Sequence, residues 1–267
     1  DLSPNNRNLS PINIYTTGWD YSRLKLLNKT HFVKLWNRIN HNKVVSGFSY
    51  NKISDVRTIF IVWVNNGHTQ TRDGVSPLFF ACEANENASP TTKTRPFVHP
   101  TDHLTAVSTG GWWDPSSHDA VKNGITRING VNIENISDNF INWSPGANGS
   151  GQHFTQFYGL VNLMSIRVNE PDLQTSHTIE LDSLGPDLKY YERLNAYIGE
   201  VLIYNEVLTE NETLDIESYL NTKWSVHGTT PNSEDLLKKP SRTDSRLELW
   251  IDALDIDATG KSNIIGS

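Results

Sequence analysis

The sequence predicts an all-β fold in which two antiparallel sheets pack as a sandwich, with one short C-terminal helix. Apolar runs of strand length recur at irregular intervals, and there are about nine or ten of them. Two runs, residues 59–64 and 196–204, are apolar at nearly every position, which is typical of strands buried on both faces. Only residues 210–221 have a helical pattern. Strands and helices therefore do not alternate as they do in a βαβ fold.

Length and charge favour one domain and exclude two classes of partner. The chain has 267 residues, a length that suits one large β domain. Its net charge is −7, its pI is about 5.7, and no basic run exceeds Lys238-Lys239. A nucleic-acid surface needs clustered Lys and Arg, and a membrane span needs roughly eighteen consecutive apolar residues. We therefore expect neither nucleic-acid binding nor membrane insertion.

The chain divides into four segments by composition. Residues 1–12 are polar and predict an extended lead-in, without the basic or apolar region of a signal peptide, so we expect a mature product or an excised fragment. Residues 13–228 carry the strands and the helix of the predicted sandwich. Residues 229–246 are polar, contain two prolines and predict a linker. Residues 247–267 begin with LELWIDALD, which alternates as a half-exposed strand does.

Local signals predict the elements in the middle of the chain. Residues 56–64 predict a central strand, the second anchor of the core. Asn129-Gly130 lies between two short strand patterns and predicts a hairpin, because Asn and Gly readily adopt the positive φ angles of a type I′ turn. Residues 83–100 are a long polar connection, which in a compact domain is either mobile or functional. Residues 138–152 are a second loop, rich in Gly and Asn.

Residues 196–224 predict the last strand and the helix of the domain. Residues 196–204 predict a strand in the middle of a sheet. The chain then turns, and Thr209 with Glu212 three residues later forms a capping box, in which the hydroxyl accepts an early helix N–H and the carboxylate reaches back. The predicted helix begins near Glu210 and ends near Asn221.

The same segment carries a family resemblance. The string I-G-E-V-L-I-Y-N-x-x-L-T-x-x-E, followed by Tyr219-Leu220 and Lys223-Trp224, resembles the closing signature of the laminin-G-like, concanavalin-A-like lectin/glucanase jelly rolls of bacterial surface and phage proteins. The resemblance covers residues 196–224 closely, and upstream only the pattern of strands is shared. It implies a jelly-roll β-sandwich, and such a fold does not decide the function.

A second resemblance lies after the first. The string L-x-L-W-x-D-A, from Leu247 to Ala253, resembles the opening strand of the same family. Because an opening strand here follows the closing signature, two alternatives remain. Either a second module begins at Leu247, or this segment folds back, or crosses to a neighbouring subunit, and completes the sandwich. A lone strand with an apolar face is unstable in water, so an ordered strand here needs a partner.

The resemblance also allows a test for catalysis. The laminarinase-type glycanases of this fold carry Glu-x-Asp-x-Glu on one strand, so that the acids point into one cleft. The nearest match here is Glu180, Asp182 and Leu184, in which leucine replaces the third acid. The missing acid is the proton donor, so the sequence predicts a protein that is not an enzyme.

Tryptophans in polar loops predict a carbohydrate site. A loop tryptophan offers a flat apolar face to a sugar ring, while neighbouring Asp and Asn side chains can bond its hydroxyls. The alternative is that Trp112 or Trp113 folds inward and packs at the end of the sandwich. The candidate carbohydrate-binding residues are Trp112, Trp113, Asp114, Asn142, Trp143 and Asn148.

A calcium site is the one metal site that the sequence suggests. Calcium takes several oxygen ligands from a bent loop, and the best stretch runs from Asp114 to Asp119. Laminin-G-like relatives often carry calcium at the rim of the sandwich, which makes Asp114 and Asp119 the candidate ligands. No cofactor is required by any motif of the chain.

These observations lead to one main hypothesis and two alternatives. The main hypothesis is a non-catalytic recognition module that binds a cell-surface glycan or protein and is part of a larger extracellular or virion protein. The first alternative is a structural or assembly module, such as a virion decoration, a fibre or an adhesin stalk, whose partners are copies of itself or neighbouring chains. The second alternative, a glycan hydrolase, has the least support because of Leu184.

Overall fold

The structure is a computed structural model that describes residues 3–5, 7, 10–13, 23–27, 30–35, 46–65, 80–81, 113, 118–133, 160–175, 179–184 and 196–253. The strands are β1 (Ser10–Asn13), β2 (Arg23–Leu27), β3 (Thr30–Leu35), β4 (Ser46–Ile53), β5 (Thr58–Asn65), β6 (Phe80–Ala81), β7 (Ile125–Ile128), β8 (Val131–Asn132), β9 (Val161–Arg167), β10 (Leu181–Leu184), β11 (Ala196–Tyr204) and β12 (Leu247–Asp252). The helices are α1 (Asp119–Lys122), α2 (Glu170–Thr175) and α3 (Glu210–Trp224), and a 3₁₀ helix spans Ser233–Lys238.

The strands form two antiparallel sheets, so the predicted β-rich fold is confirmed. The smaller sheet has four strands in the order β1–β4–β10–β6. The larger sheet has eight, in the order β2–β3–β11–β5–β9–β7–β8, with β12 also paired with β11. Among the described helices, none is both long and apolar enough to cross a membrane.

One hydrophobic core includes residues of both sheets. All nine residues of β11 are buried, and so is β5 from Ile59 to Val64. The smaller sheet contributes Ile53 and Leu181 to the same core. The two runs predicted as strands buried on both faces therefore occupy the centre of the molecule, paired with each other along their whole length.

On its edge away from β5, β11 pairs with two strands, one after the other. Its first part pairs with β3, from Ala196 to Ile198, and its second part pairs with β12, from Glu200 to Tyr204. The register shifts between these parts, at Gly199. A Cβ at Gly199 would lie 3.0 Å from atoms of the Phe32 and Trp224 rings, so the absence of a side chain lets both rings approach the strand.

The hairpin and the capping box are confirmed. Asn129 and Gly130 have φ angles of 51° and 81° and join β7 to β8. Thr209 Oγ1 accepts the N–H of Glu212, and the Glu212 carboxylate accepts the N–H of Thr209 at 2.9 Å. α3 begins where predicted but continues to Trp224, and it ends at Ser225, whose φ angle is 52°.

The prediction of a single helix is wrong. α1 and α2 have only 4 and 6 residues, too few for an apolar period to be recognised in the sequence. α1 is capped by His118, whose Nδ1 accepts the N–H of Ala120 at 3.1 Å.

Ion pairs and hydrogen bonds fix α3 to the larger sheet. Glu210, in its first turn, pairs with Arg167 of β9 and lies 3.0 Å from Arg127 of β7. Two helical turns further, the buried Glu217 accepts a 2.5 Å hydrogen bond from Ser165. α3 therefore covers β7 and β9.

The segments on either side of the predicted domain contact it. Residues 10–13 form β1, and Ser3 Oγ donates to the carbonyl of Glu248 at 3.1 Å. Arg7 pairs with the carboxylate of Glu248 and also donates to the Asn51 carbonyl of β4 at 3.2 Å. Residues 229–246 include the 3₁₀ helix, which is held to α3 by the 3.1 Å ion pair of Lys238 with Asp215.

β12 pairs with β11 of the same chain. Leu202 lies opposite Trp250, and Ile203 lies opposite Leu249. The Leu249, Trp250 and Ile251 side chains are at most 1 % exposed. The segment that resembles an opening strand therefore has the position expected of a strand that folds back and completes its own domain.

Candidate functional site

Five strand ends of the larger sheet lie side by side. Leu35 at the end of β3 is opposite Ala196 at the start of β11, and Ala196 is opposite Asn65 at the end of β5. Val161, the first residue of β9, is opposite Val64, the residue before Asn65 in β5. Arg23, the first residue of β2, is opposite Lys34, the residue before Leu35 in β3. We call this row of five residues the loop-bearing end of the sheet.

The chain segments that join the strands differ between the two ends of the larger sheet. Those that begin or end at the loop-bearing end are long, namely residues 14–22, 36–45, 66–79, 134–160 and 185–195. At the opposite end, residues 28–29 join β2 to β3 and residues 54–57 join β4 to β5, whereas residues 168–180 and 205–246, which carry α2, α3 and the 3₁₀ helix, follow β9 and β11. Five segments of at least nine residues are therefore attached to neighbouring strand ends of the larger sheet.

One of these long segments contains half of the predicted carbohydrate-binding residues. Asn142, Trp143 and Asn148 belong to residues 134–160, which lead into Val161 of the loop-bearing end. These three residues, together with Trp112 and Asp114, lie outside the described residues. The structure thus gives the position of the strand that follows this segment, and the roles of all five side chains stay predictions.

Trp113 is the one predicted carbohydrate-binding residue that the structure describes. Its side chain is 6 % exposed and belongs to the hydrophobic core. This is the arrangement that the packing alternative predicts for one member of the Trp112-Trp113 pair. A buried indole does not present its face to a ligand, since burial of so large an apolar surface strongly favours packing.

Asp119, one of the two candidate calcium ligands, is the first residue of α1. Its half-exposed carboxylate lies 2.7 Å from Lys122 Nζ, one turn further along the helix. An acid in the first turn also stabilises the positive end of the helix dipole. No group of three or more His, Cys, Asp or Glu side chains that could hold a metal occurs within the described part of the chain.

The three residues that resemble the catalytic motif of glycanases do not form a carboxylate cluster. Glu180 lies just before β10 and pairs with Lys52 at 3.0 Å. Leu184, at the position of the third acid, is fully buried. The register of β10 against β4 also shifts between Leu181 and Ser183, which interrupts the alternation that would align acids on one face.

The sequence analysis missed a buried group of charged residues. Lys223 of α3 places its Nζ 2.7 Å from Glu200 of β11 and 2.5 Å from Asp252 of β12. The Glu200 carboxylate also accepts the indole N–H groups of Trp224, at 2.7 Å, and Trp250, at 2.8 Å. We call these five residues the Glu200 cluster.

Burial dominates the electrostatics of the Glu200 cluster. The Glu200 side chain is completely inaccessible to solvent. Its burial raises the pKa of Glu200 to about 7, although the ammonium of Lys223 opposes the shift. For Lys223, burial would lower the pKa, but the carboxylates of Glu200 and Asp252 outweigh it and hold the pKa above its ordinary range.

A signal for this cluster was present in the sequence. Glu200 is the only charged residue in the apolar run of β11, and a charge in a strand buried on both faces needs a buried partner. Lys223 directly precedes Trp224, and Asp252 lies two residues after Trp250, in the two strings that carry the family resemblance. The resemblance marked these strings, and the structure shows that they meet.

Comparison of the chain with protein-family models, with curated proteins and with solved structures gave no match.

Proposed function

We propose that the chain is a non-catalytic recognition module, a laminin-G-like jelly-roll β-sandwich whose loop-bearing end binds a glycan or a protein on a surface. The observation that carries this proposal is that the strand ends to which five long segments are attached lie side by side in the larger sheet. A rigid sheet that fixes the ends of several loops is the arrangement with which β-sandwiches commonly build binding surfaces.

The composition of the segments favours a glycan over other ligands. Residues 134–160 contain Trp143 together with Asn142 and Asn148, which combine an apolar ring with hydrogen-bonding amides. Trp112 and Asp114 belong to a second polar stretch, anchored in the core by Trp113 between them. In this proposal Trp113 packs in the core and does not touch the ligand.

We propose binding without catalysis because the third acid of the Glu-x-Asp-x-Glu motif is absent. The buried Leu184 has no proton to give, and Glu180 is engaged by Lys52. Such a module would act outside the cell, on a cell or virion surface, as one part of a longer protein.

A glycan array tests the proposal. Residues 1–267 are expected to bind at least one class of glycan, and Trp143→Ala is expected to abolish that binding while circular dichroism shows an unchanged fold. Leu237→Ala is the control, because Leu237 is 87 % exposed on the 3₁₀ helix and is not among the residues proposed to bind. A chelator in a parallel array tests calcium at Asp114 and Asp119. Binding that survives Trp143→Ala would contradict the proposed site.

One observation favours the structural or assembly module as the second candidate. Leu236 and Leu237 are 44 % and 87 % exposed on the 3₁₀ helix, and exposed apolar side chains are common at protein interfaces. Light scattering distinguishes the candidates. A stable monomer that binds a glycan supports recognition, whereas a defined oligomer that binds no glycan supports assembly.

A further inference from the structure

The three charged residues of the Glu200 cluster come from three elements that are distant in sequence. Glu200 and Asp252 lie directly opposite each other on β11 and β12. Lys223 reaches them from the last turn of α3, with its Nζ between the two carboxylates. The side-chain exposures of Glu200, Lys223 and Asp252 are 0 %, 13 % and 3 %.

Aromatic side chains enclose the ammonium group. Lys223 Nζ lies 5.4 Å from the ring centres of both Tyr219 and Trp224. Trp250 closes the other side of Glu200 with its own hydrogen bond. Burial raises the pKa of Glu200 to about 7, which makes it a better proton acceptor than an exposed carboxylate, although the two carboxylates also hold the pKa of Lys223 above its ordinary range.

We infer that Lys223 and Asp252 become joined by an isopeptide bond inside the folded chain, with Glu200 as the proton carrier. Lys223 Nζ lies 2.5 Å from a carboxylate oxygen of Asp252, one bond from the carboxyl carbon that it would attack, and near-attack geometry needs reacting atoms about 3–3.5 Å apart. The positions are fixed by a helix and by two paired strands, so the reactants need no further ordering.

The reaction needs no partner beyond these three side chains. Glu200 takes a proton from the Lys223 ammonium, and the freed lone pair of Nζ forms a bond to Cγ of Asp252. The bond from Cγ to one carboxylate oxygen then breaks, and its electron pair leaves with that oxygen. Nζ loses two of its three protons, which Glu200 passes to the departing oxygen, so that this oxygen leaves as water. One ammonium and one carboxylate thus give one amide and one water.

The contacts assign different roles to the two carboxylates. Both oxygens of Glu200 accept indole N–H groups, Oε2 from Trp224 and Oε1 from Trp250. Loss of either oxygen would leave a buried indole N–H without its acceptor, so Glu200 is suited to carry protons and to remain intact. The raised pKa of Glu200, about 7, lets it take up and release a proton near neutral pH. Asp252 is therefore the group that acylates the amine.

Intact-protein mass spectrometry tests the inference. The purified folded chain is expected to weigh less than its sequence requires by the mass of one water molecule. Protease digestion is expected to release one linked pair of peptides, one containing residue 223 and the other residue 252. A folded chain of full mass overturns the inference, and so does a water deficit that maps to other residues.

Variants test the assigned roles. Lys223→Arg keeps the positive charge without a reactive amine, and Glu200→Gln removes the proton carrier, so both are expected to have the full mass. Lys238→Arg is the matched control, since Lys238 forms an exposed ion pair with Asp215 and its change is expected to keep the deficit. A folded Glu200→Gln chain that retains the deficit would overturn the role of Glu200. The mass of the unaltered chain decides the main point even if a variant does not fold.

Discussion

Replacement of Leu249 by alanine tests whether β12 is part of the core. Leu249 is fully buried and lies opposite Ile203 on β11. Shortening a buried leucine removes apolar contacts and leaves a cavity, which costs about 2–5 kcal/mol in the free energy of unfolding. In a chain of this size each kcal/mol lowers Tm by about 2–4 °C, so the expected decrease is about 4–20 °C.

Leu237 provides a control with the same chemical change. It is 87 % exposed on the 3₁₀ helix, and Leu237→Ala is expected to change the free energy of unfolding by no more than about 0.5 kcal/mol. Thermal and urea unfolding, followed by circular dichroism, measure both variants beside the unaltered chain. If Leu249→Ala and Leu237→Ala unfold at the same temperature, β12 does not belong to the core, and a separate module that begins at Leu247 becomes the better explanation.

Three further changes test other contacts, each by urea unfolding. Thr209→Ala removes the N-terminal cap of α3 and is expected to cost about 1 kcal/mol; a cost near zero would mean that the cap is not formed. Gly199→Ala places a Cβ 3.0 Å from Phe32 and Trp224, with an expected cost of about 1–3 kcal/mol, and an unchanged stability would show that the rings can shift. Burial raises the pKa of Glu217 above the ordinary 4.5, so its contribution to stability is complete below pH 4.5 and decreases as the pH rises through the folded-state pKa. As the pH rises above 4.5, the Glu217→Gln variant should therefore lose less stability than the unaltered chain, and an equal loss would assign the pH dependence to other groups.

Elements that depend on nearby residues were predicted well from the sequence. The apolar runs of β5 and β11, the Asn129-Gly130 turn and the capping box at Thr209 each require only a short string of residues. Such strings report which faces a strand buries and where a turn or a helix begins.

Pairings between distant segments could not be predicted in the same way. The alternation of residues 247–253 indicates a strand but does not say which strand it joins, since backbone hydrogen bonds are the same for every partner. The packing of Trp113 and the contact between Glu200 and Asp252 also depend on which distant segments come together, and a short string of residues does not report this. The loop-bearing end also became visible only from the register of β3, β5, β9 and β11.

The contacts of Arg7 determine how the fold would carry a mechanical load. Arg7 binds Glu248 of β12 and also donates to carbonyl groups of β4. A pulling force applied at residues 3 and 248 would act on these few hydrogen bonds before it reached β5 and β9. The N-terminal segment would therefore separate from β12 while the centre of the larger sheet stayed intact.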